Sequence, residues 1–337
     1  MQQKRFSFSR QTVDYFFDAE FKDLKNVVVK QKAVIITDEQ IFALHERKLK
    51  NWKVIVVQAG EQFKVQPTVD HIIGKLIEMG ADRQTMLVGV GGGVITDITG
   101  YTASIFLRGI AFGFVPTTLL AMVDASIGGK NGIDVGVYKN MVGTITQPRF
   151  LLYDASFLKS LPDKEWRNGF AEIIKHAAIK DAAMFRSLEE HSIAAFQKKK
   201  ELQLALIKRN VLIKTKVVQA DEFEKNERRL LNFGHTLAHA IETQYNLTHG
   251  EAVAIGMCFA AGLSSTILSF RHRSRVTELI EKYGLPTRLS FNTQQVFDVL
   301  CRDKKKEEGV MNFILLERIG KAKVEQLPLH TLYNYLS

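Results

Sequence analysis

Cysteine and proline are scarce in this chain of 337 residues, which has two cysteines and six prolines. The two thiols, Cys258 and Cys301, can build neither a disulfide framework nor a four-thiolate zinc site. Six prolines and 23 glycines fit neither a collagen-like nor a low-complexity chain. Apolar residues make up 46% and charged residues 24%, which is typical of a globular protein. The length predicts about two domains.

Long uncharged runs are nearly absent as well. Residues 252–270 form a run of 19 without a charge, but ten of them are Ala, Gly, Ser or Thr. The run therefore predicts a buried helix rather than a membrane span. Residues 1–11 lack the apolar segment of a secretory signal, so we expect a cytoplasmic protein that does not enter the membrane.

Positive charge is in excess, with 46 Lys and Arg against 36 Asp and Glu, a formal net charge of +10. The basic runs are short and carry no interleaved aromatic residues of the kind that stack on bases; they are residues 198–200, 271–275 and 304–306. This pattern disfavours nucleic acid as a partner. It leaves a basic surface or a small anionic substrate as the interpretations of the charge.

The two halves of the sequence have different patterns. Short β-rich apolar runs lie in the first half, at residues 33–37, 54–57 and 86–90. A helical pattern separates the last two runs, which predicts a parallel α/β sheet. Beyond residue 163 the pattern is helical, at residues 169–178, 202–218, 234–244 and 250–269. We therefore predict a domain boundary near residue 155, and a small hairpin from residues 313–316 and 324–327.

A glycine-rich segment follows the third apolar run. Gly91, Gly92 and Gly93 lie between that run and a predicted helix over residues 94–106. Glycines let a phosphate approach the backbone, and a helix N-terminus offers free N–H groups. The match to the dinucleotide fingerprint G-x-G-x-x-G is incomplete, because Gly89 and Gly91 supply its first two glycines but Val94 stands at the third. A plain tight turn remains an alternative.

Histidines and a glutamate are spaced as metal ligands. His235 and His239 lie one helical turn apart, and His249 follows ten residues later. Glu172 belongs to a predicted helix and shares a face with Lys175. Imidazole nitrogen and carboxylate oxygen suit zinc, which in a catalytic site has three protein ligands. Spacing alone leaves open whether the third ligand is His239 or His249.

Five ordered motifs resemble the 3-dehydroquinate synthase family of sugar-phosphate cyclases. They are the segment GGGVITDITGYTASIFLRGIAFGFVPTT from Gly91, the segment DASIGGK ending at Lys130, the pair Lys139-Asn140, AEIIK at 171–175 and LLNFGHTLAH followed by HGEA between 230 and 252. The resemblance implies an α/β, Rossmann-like NAD-binding domain over residues 1–155. It also implies a mainly α-helical metal- and substrate-binding domain over residues 156–337, with the active site in the cleft between the two.

Residue roles are implied by position in these motifs. The implied metal ligands for Zn²⁺ or Co²⁺ are Glu172, His235 and His249, which leaves His239 as a catalytic residue. The other implied catalytic residues are Asp124, Lys130, Lys175 and Asn232. The implied NAD contacts are Asp38, Glu61, Lys64, Gly91, Gly92, Gly93, Asp97, Thr117, Thr118, Lys130, Lys139, Phe157 and Ser160. The implied substrate contacts are Arg108, Lys130, Asn140, Lys214, Arg228, Asn232 and one of Lys304 and Lys305. Arg108 would reach the partner's site in a homodimer.

The family's reaction belongs to the shikimate pathway of aromatic amino acid biosynthesis. It oxidises 3-deoxy-D-arabino-heptulosonate 7-phosphate with NAD, eliminates phosphate, reduces the ketone, opens the ring and closes a carbocycle by an aldol step. This sequence departs from the family pattern at Ala59, Thr96, Asn131 and residues 136–138. The alternatives are another sugar-phosphate cyclase, a metal-dependent polyol dehydrogenase and a binding protein without activity. The paired cations Lys214 and Arg228 favour a substrate with a carboxylate.

Overall fold

The computed structural model describes residues 1–136, 138–242, 244–302 and 309–336, with only the backbone of Arg302. The chain divides into two compact units. The first contains Met1–Glu165 and Leu204–Glu222, and the second contains Trp166–Gln203 and Phe223–Ser337. Sequence analysis predicted one boundary near residue 155. It did not predict the return of Leu204–Glu222 to the first unit.

Nine strands belong to the described part of the first unit. They are β1 (Gln2–Ser7), β2 (Thr12–Phe17), β3 (Ala33–Asp38), β4 (Lys53–Val57), β5 (Met86–Gly91), β6 (Ala111–Pro116), β7 (Lys130–Val135), β8 (Tyr138–Ile145) and β9 (Phe150–Leu152). Strands β7 and β8 pair as a separate antiparallel hairpin, and the others form one sheet in the order β1-β2-β9-β6-β5-β3-β4. Only β1 is antiparallel to its neighbour in that sheet.

Helices cover the sheet and build most of the second unit. Over the described residues they are α1 (Glu39–Leu49), α2 (Gln66–Glu78), α3 (Gly93–Ile105), α4 (Asp163–Lys180), α5 (Ala182–Glu190), α6 (Ile193–Lys198), α7 (Lys200–Ala220), α8 (His235–Glu242), α9 (His249–Leu268), α10 (Arg273–Lys282), α11 (Thr293–Arg302) and α12 (Leu329–Leu336). The second unit adds the hairpin of β10 (Val310–Arg318) and β11 (Lys321–Pro328). The predicted fold class is confirmed, as are the three predicted strands and the late hairpin.

The parallel strands place several predicted ligand residues at one edge of the sheet. Strand β3 lies between β4 and β5, and the chain leaves it for β4 on one side before β5 forms on the other. This is the switch point at which open α/β sheets bind ligands beyond their carboxyl ends. Asp38 ends β3, and Gly91 ends β5 next to it. The Thr37 hydroxyl donates a 2.7 Å hydrogen bond to the Val90 oxygen and joins the two strands there.

Helix α9 is the long uncharged run of the sequence. By length and composition it could cross a membrane, but 61% of its most apolar window is buried inside the protein. Its small residues permit close packing against its neighbours: an added Cβ at Gly256 would lie 1.9 Å from the Gly234 oxygen. The helix is therefore a core helix of the second unit, as the sequence predicted.

Candidate functional site

Three side chains of the second unit, Glu172, His235 and His249, converge as a candidate metal centre. The Oε1 atom of Glu172 lies 3.1 Å from His249 Nε2 and 3.4 Å from His235 Nε2. One donor atom from each residue lies within 4.8 Å of the others. Donors bound to one tetrahedral zinc ion at roughly 2.0–2.2 Å lie about 3.3–3.6 Å apart. The chemistry and spacing of this donor set therefore fit Zn²⁺ or Co²⁺.

Glycines bring the three ligands together. Gly250 lets the first turn of α9 approach α4, since an added Cβ would lie 2.6 Å from the Asn168 Cα. Its N–H donates to the Asn168 side chain at 3.2 Å, one turn before Glu172. Gly234, at φ 84°, reverses the chain immediately before His235 and packs against α9. The glycines of the GH and HGE motifs thus have a structural role that sequence analysis did not assign.

The charge of Glu172 is held by its surroundings. Its Oε2 atom forms a buried ion pair with Lys175, three residues further along α4. Burial opposes ionisation, but the Lys175 charge and hydrogen bonds from His235 and His249 outweigh it and hold the pKa of Glu172 well below its usual value. Burial, followed by the nearby Lys175 charge, lowers the pKa of His235. Both groups are therefore in the protonation state that binds a metal at neutral pH.

His249 differs from His235 in its second neighbour. Glu242, at the end of α8, places Oε2 3.7 Å from His249 Nδ1. Burial acts in the opposite direction, but Glu172 and Glu242 together raise the pKa of His249 to about 9. His235 Nδ1 lies 3.3 Å from the Phe233 oxygen. These outer contacts leave Nε2 of each ring to face the centre. Sequence analysis missed Glu242, although its position at i+3 from His239 on one helix was a usable signal.

His239 and His249 are both compatible with the ligand spacing of the sequence, so the structure decides which of them can be the third ligand. The group of donors within bonding range contains His249 and not His239, among the residues that the structure describes. The His239 ring lies 5.7 Å from the His235 ring, centroid to centroid, and is exposed at the edge of the centre. That position suits a proton-transfer group beside a bound substrate better than a ligand.

The glycine-rich segment of the first unit forms the expected strand–turn–helix. Gly92 precedes α3, whose N-terminus offers free N–H groups beside the end of β5. Thr117 follows β6, and its N–H donates to the Gly91 oxygen at 2.9 Å. The Thr117 hydroxyl is buried and has no hydrogen-bond partner within the described chain. A glycine turn with an orphaned buried hydroxyl fits a dinucleotide such as NAD. Asp38, a predicted NAD contact, caps α1 by accepting from the Ile41 N–H at 2.8 Å.

Lys64 is the centre of a polar cluster in the first unit. Its Nζ lies 2.5 Å from Asp97 Oδ2 and 2.6 Å from Asn140 Oδ1. Burial opposes the charge, but Asp97 and Glu61 outweigh it and raise the pKa of Lys64. Lys139 lies nearby, with Nζ 3.9 Å from Glu61 Oε1. The structure thus brings together predicted cofactor residues and the predicted substrate residue Asn140.

Two further predicted residues of the first unit form a pair. Lys214 Nζ lies 2.7 Å from Asp124 Oδ2 and donates to the Asp124 backbone oxygen at 2.8 Å. Asp124 lies in a short π-helical turn, Ala121–Ala125. The two residues are 90 positions apart, so no sequence pattern joins them.

The substrate residues of the second unit share one turn. Arg228 is 3% exposed and Asn232 is half-buried in the turn Glu227–Asn232. The Asn232 amide donates to Glu224 Oε1 at 2.7 Å. Arg229, next to Arg228, is exposed.

The remaining predicted residues are more scattered. Lys130 is exposed at the start of β7, and Thr118 accepts from the Ala121 N–H at 3.1 Å. Phe157 lies in the hydrophobic core of the first unit, and Ser160 lies 2.9 Å from His45 Nε2. Their roles toward a cofactor or substrate stay predictions. Lys304 and Lys305 lie outside the described residues.

Comparison with known proteins gives a consistent result. Residues 54–168 match the family model described as 3-dehydroquinate synthase N-terminal, and residues 169–306 match the one described as 3-dehydroquinate synthase C-terminal. The chain is 40% identical to the 3-dehydroquinate synthase of Campylobacter curvus over 321 residues, 91% of each chain. It is 39% identical to that of Halalkalibacterium halodurans over 310 residues, 87% of this chain and 85% of the relative.

Solved structures of similar fold carry NAD⁺ and a metal. One is 2-deoxy-scyllo-inosose synthase complexed with carbaglucose-6-phosphate, NAD⁺ and Co²⁺, with a TM-score of 0.87 and 25% identity over 99% of both chains. Another is 2-epi-5-epi-valiolone synthase from Streptomyces hygroscopicus with NAD⁺ and Zn²⁺ bound, with a TM-score of 0.87 and 28% identity over 100% of this chain and 97% of the other.

Proposed function

The chain belongs to the 3-dehydroquinate synthase family, and we propose that it converts 3-deoxy-D-arabino-heptulosonate 7-phosphate to 3-dehydroquinate and phosphate in the shikimate pathway. The observation that carries this function is 40% identity to a curated 3-dehydroquinate synthase over 91% of both chains. The reaction is a phosphate-eliminating cyclisation in which NAD is regenerated in each turnover.

The metal is proposed to be bound by Glu172, His235 and His249. When bound, NAD supplies a hydride acceptor and donor, and Zn²⁺ or Co²⁺ polarises the substrate oxygens. Glu172 supplies one negative charge and the two imidazoles supply neutral nitrogen, so a divalent ion retains net positive charge for the substrate. Lys175 keeps Glu172 ionised and fixed in place, which is its role in the site. Structures of relatives that carry NAD⁺ with Co²⁺ or Zn²⁺ support this assignment.

NAD is proposed to bind at the glycine turn of the first unit. The free N–H groups at the start of α3 and the buried Thr117 hydroxyl suit the pyrophosphate and its neighbours. Lys64 adds a buried cation whose charge Asp97 sustains. Asn140, held on the Lys64 ammonium, is available to a substrate hydroxyl from the same cluster.

The substrate carboxylate is assigned to Arg228. Its guanidinium can hold a carboxylate with two parallel hydrogen bonds, and its burial strengthens them. Lys214 contributes less charge than its sequence position suggests, because it is already paired with Asp124. His239 takes the part of the proton-transfer group, since an exposed imidazole beside the metal ligands can exchange protons with substrate and solvent.

A homodimer in the cytoplasm completes the proposal, with Arg108 contributed to the partner's site. Leu107 and Arg108 both have positive φ, 49° and 66°, and Gly109 follows at 115°. Two consecutive non-glycine residues in this region are strained, and such strain concentrates at functional positions. The exposed apolar side chains of Leu107, in this segment, and of Ile105, just before it, are expected where a second copy covers the surface.

Another sugar-phosphate cyclase is the second candidate, because 2-deoxy-scyllo-inosose synthase shares the fold at a TM-score of 0.87. The two functions are separated by substrate. Metal-loaded enzyme with NAD should release phosphate from the heptulosonate phosphate and not from glucose 6-phosphate or sedoheptulose 7-phosphate. Release from either of the latter alone would establish the second candidate.

A further inference from the structure

The β7–β8 hairpin contains an irregular step at Asp134. Ile133 pairs with Val142, but Val135 pairs with Tyr138, so Asp134 alone faces three residues of β8. Asn140 is the middle one of the three and has φ 54°, in the left-handed region. Such bulges take backbone groups out of the ladder and re-aim side chains, and they are frequent next to active sites.

Asp134 closes a circuit of three hydrogen bonds around this bulge. Its N–H donates to the Lys64 backbone oxygen at 2.7 Å. Its Oδ1 accepts from the Asn140 N–H at 2.7 Å. The circuit is completed by the Lys64 ammonium, which donates to Asn140 Oδ1 at 2.6 Å. Lys64 and Asn140 are thus joined twice, once directly and once through Asp134.

We propose that Asp134 is a positioning residue that presents Lys64 and Asn140 to the ligand as one rigid pair. The inference rests on the proposed function for the roles of those two residues. Asparagine tolerates the left-handed region, and an N–H turned away from the ladder takes a new acceptor, from a side chain or from water. A short carboxylate supplies it with a charge-assisted hydrogen bond. Without that bond, Asn140 can relax to an extended conformation and turn its amide away from Lys64.

The test separates the hydrogen bond from the charge. Asp134→Ala removes the acceptor and should lower kcat/KM for the heptulosonate phosphate by roughly 10- to 100-fold, the effect of a misplaced contact group. Asp134→Asn should lower it by less than about threefold, because the amide oxygen still accepts the bond. The surface variant Asp70→Ala is the control for a lost carboxylate on the same unit.

A double-mutant cycle decides whether Asp134 acts through Asn140. Asp134→Ala combined with Asn140→Ala should lose no more activity than Asn140→Ala alone, because the shared step is already lost. Additive losses would overturn the proposal, and so would an Asp134→Asn variant as impaired as Asp134→Ala.

Hydrogen exchange of the Asn140 amide gives a readout that needs no substrate. It should be faster in Asp134→Ala than in wild type and unchanged in Asp134→Asn. Equal exchange in all three proteins would show that the bond is not made and would overturn the proposal. If the wild type released no phosphate, the proposed function would fail, while the exchange rates would still decide the Asp134 contact.

Discussion

Lys214 and Asp124 form a direct ion pair, with Nζ 2.7 Å from Oδ2. A lysine that already neutralises a carboxylate of its own chain attracts a substrate carboxylate less than an unpaired one would. Our proposal therefore assigns the main contact with the substrate carboxylate to Arg228, which lies buried in the second unit.

Arg228→Ala should impair the enzyme far more than Arg229→Ala. Removing a buried cation that holds a carboxylate costs about 2–4 kcal/mol, which corresponds to a loss of roughly 30- to 1000-fold in kcat/KM. Arg229 is exposed and its replacement should be nearly silent. Steady-state kinetics on the heptulosonate phosphate compare the two. Equal, small losses would place the carboxylate elsewhere and strengthen the case for a substrate without one.

The metal ligands should respond differently from their neighbour. Glu172→Gln, His235→Ala and His249→Ala each remove one of three ligands and should lose bound metal together with turnover. His239→Ala should retain the metal while losing activity, because its ring lies outside the donor group. Metal analysis of the purified variants is the measurement. A metal-free His239→Ala beside a fully loaded His249→Ala would reverse the assignment.

Metal binding should depend on pH through His249. Its pKa of about 9 means that the imidazole is protonated at neutral pH in the metal-free protein. Binding must displace this proton, so affinity for zinc should rise about tenfold per pH unit from neutrality to about pH 9 and then level off. His235 and Glu172 contribute no such dependence, because their pKa values are lowered. Chelator competition at several pH values measures it, and a flat profile over this range would contradict it.

The raised pKa of His249 also makes the stability of the metal-free fold depend on pH. A histidine whose pKa rises on folding stabilises the fold fully below its unfolded pKa of 6.5, and that contribution is lost as the pH rises through about 9. The metal-free protein should therefore unfold more readily at pH 9 than at neutral pH, and bound metal should reduce the difference. Thermal unfolding with and without zinc measures both effects.

Two glycines on α9 should respond oppositely to the same substitution. At Gly256 an added Cβ would lie 1.9 Å from the Gly234 oxygen, so Gly256→Ala should destabilise the protein by about 1–3 kcal/mol. It should also weaken metal binding, since Gly234 precedes the ligand His235. At Gly262 the nearest atom would lie at 3.6 Å, so Gly262→Ala should be neutral or stabilising by up to about 1 kcal/mol. Denaturant unfolding compares them; equal effects would mean that α9 does not pack as described.

The elements that the sequence predicted best are those encoded by continuous runs. The apolar runs that form β3, β4 and β5 and the uncharged run that forms α9 predicted each element to within a few residues. Strand β6 was missed because Gly113 interrupts its run. An added Cβ there would lie 2.2 Å from the Phe150 ring, so the glycine is fixed by a neighbouring strand and not by local preference. The return of α7 to the first unit is likewise set by tertiary packing.

The candidate site was predictable to the extent that its motifs are local. Spacing indicated Glu172 and His235 as ligands but left the third ligand open between His239 and His249. His239 lies on the same helix face as His235, and His249 follows ten residues later, so either satisfies the spacing. Glu242 had a usable helical signal. Asp134 had none, since its role depends on a bulge that takes Asn140 out of register. The Lys214–Asp124 pair depends on contacts between distant segments, which no single sequence pattern encodes.

The most direct test of the whole account is the stoichiometry of one reaction. Metal-loaded enzyme is given the heptulosonate phosphate and an amount of NAD far below that of the substrate. Phosphate, 3-dehydroquinate and the absorbance of NADH are followed together. The account predicts equal amounts of phosphate and 3-dehydroquinate, many times the NAD present, with no net NADH. NADH that grows in step with substrate consumption, without release of phosphate, would contradict it and indicate a polyol dehydrogenase.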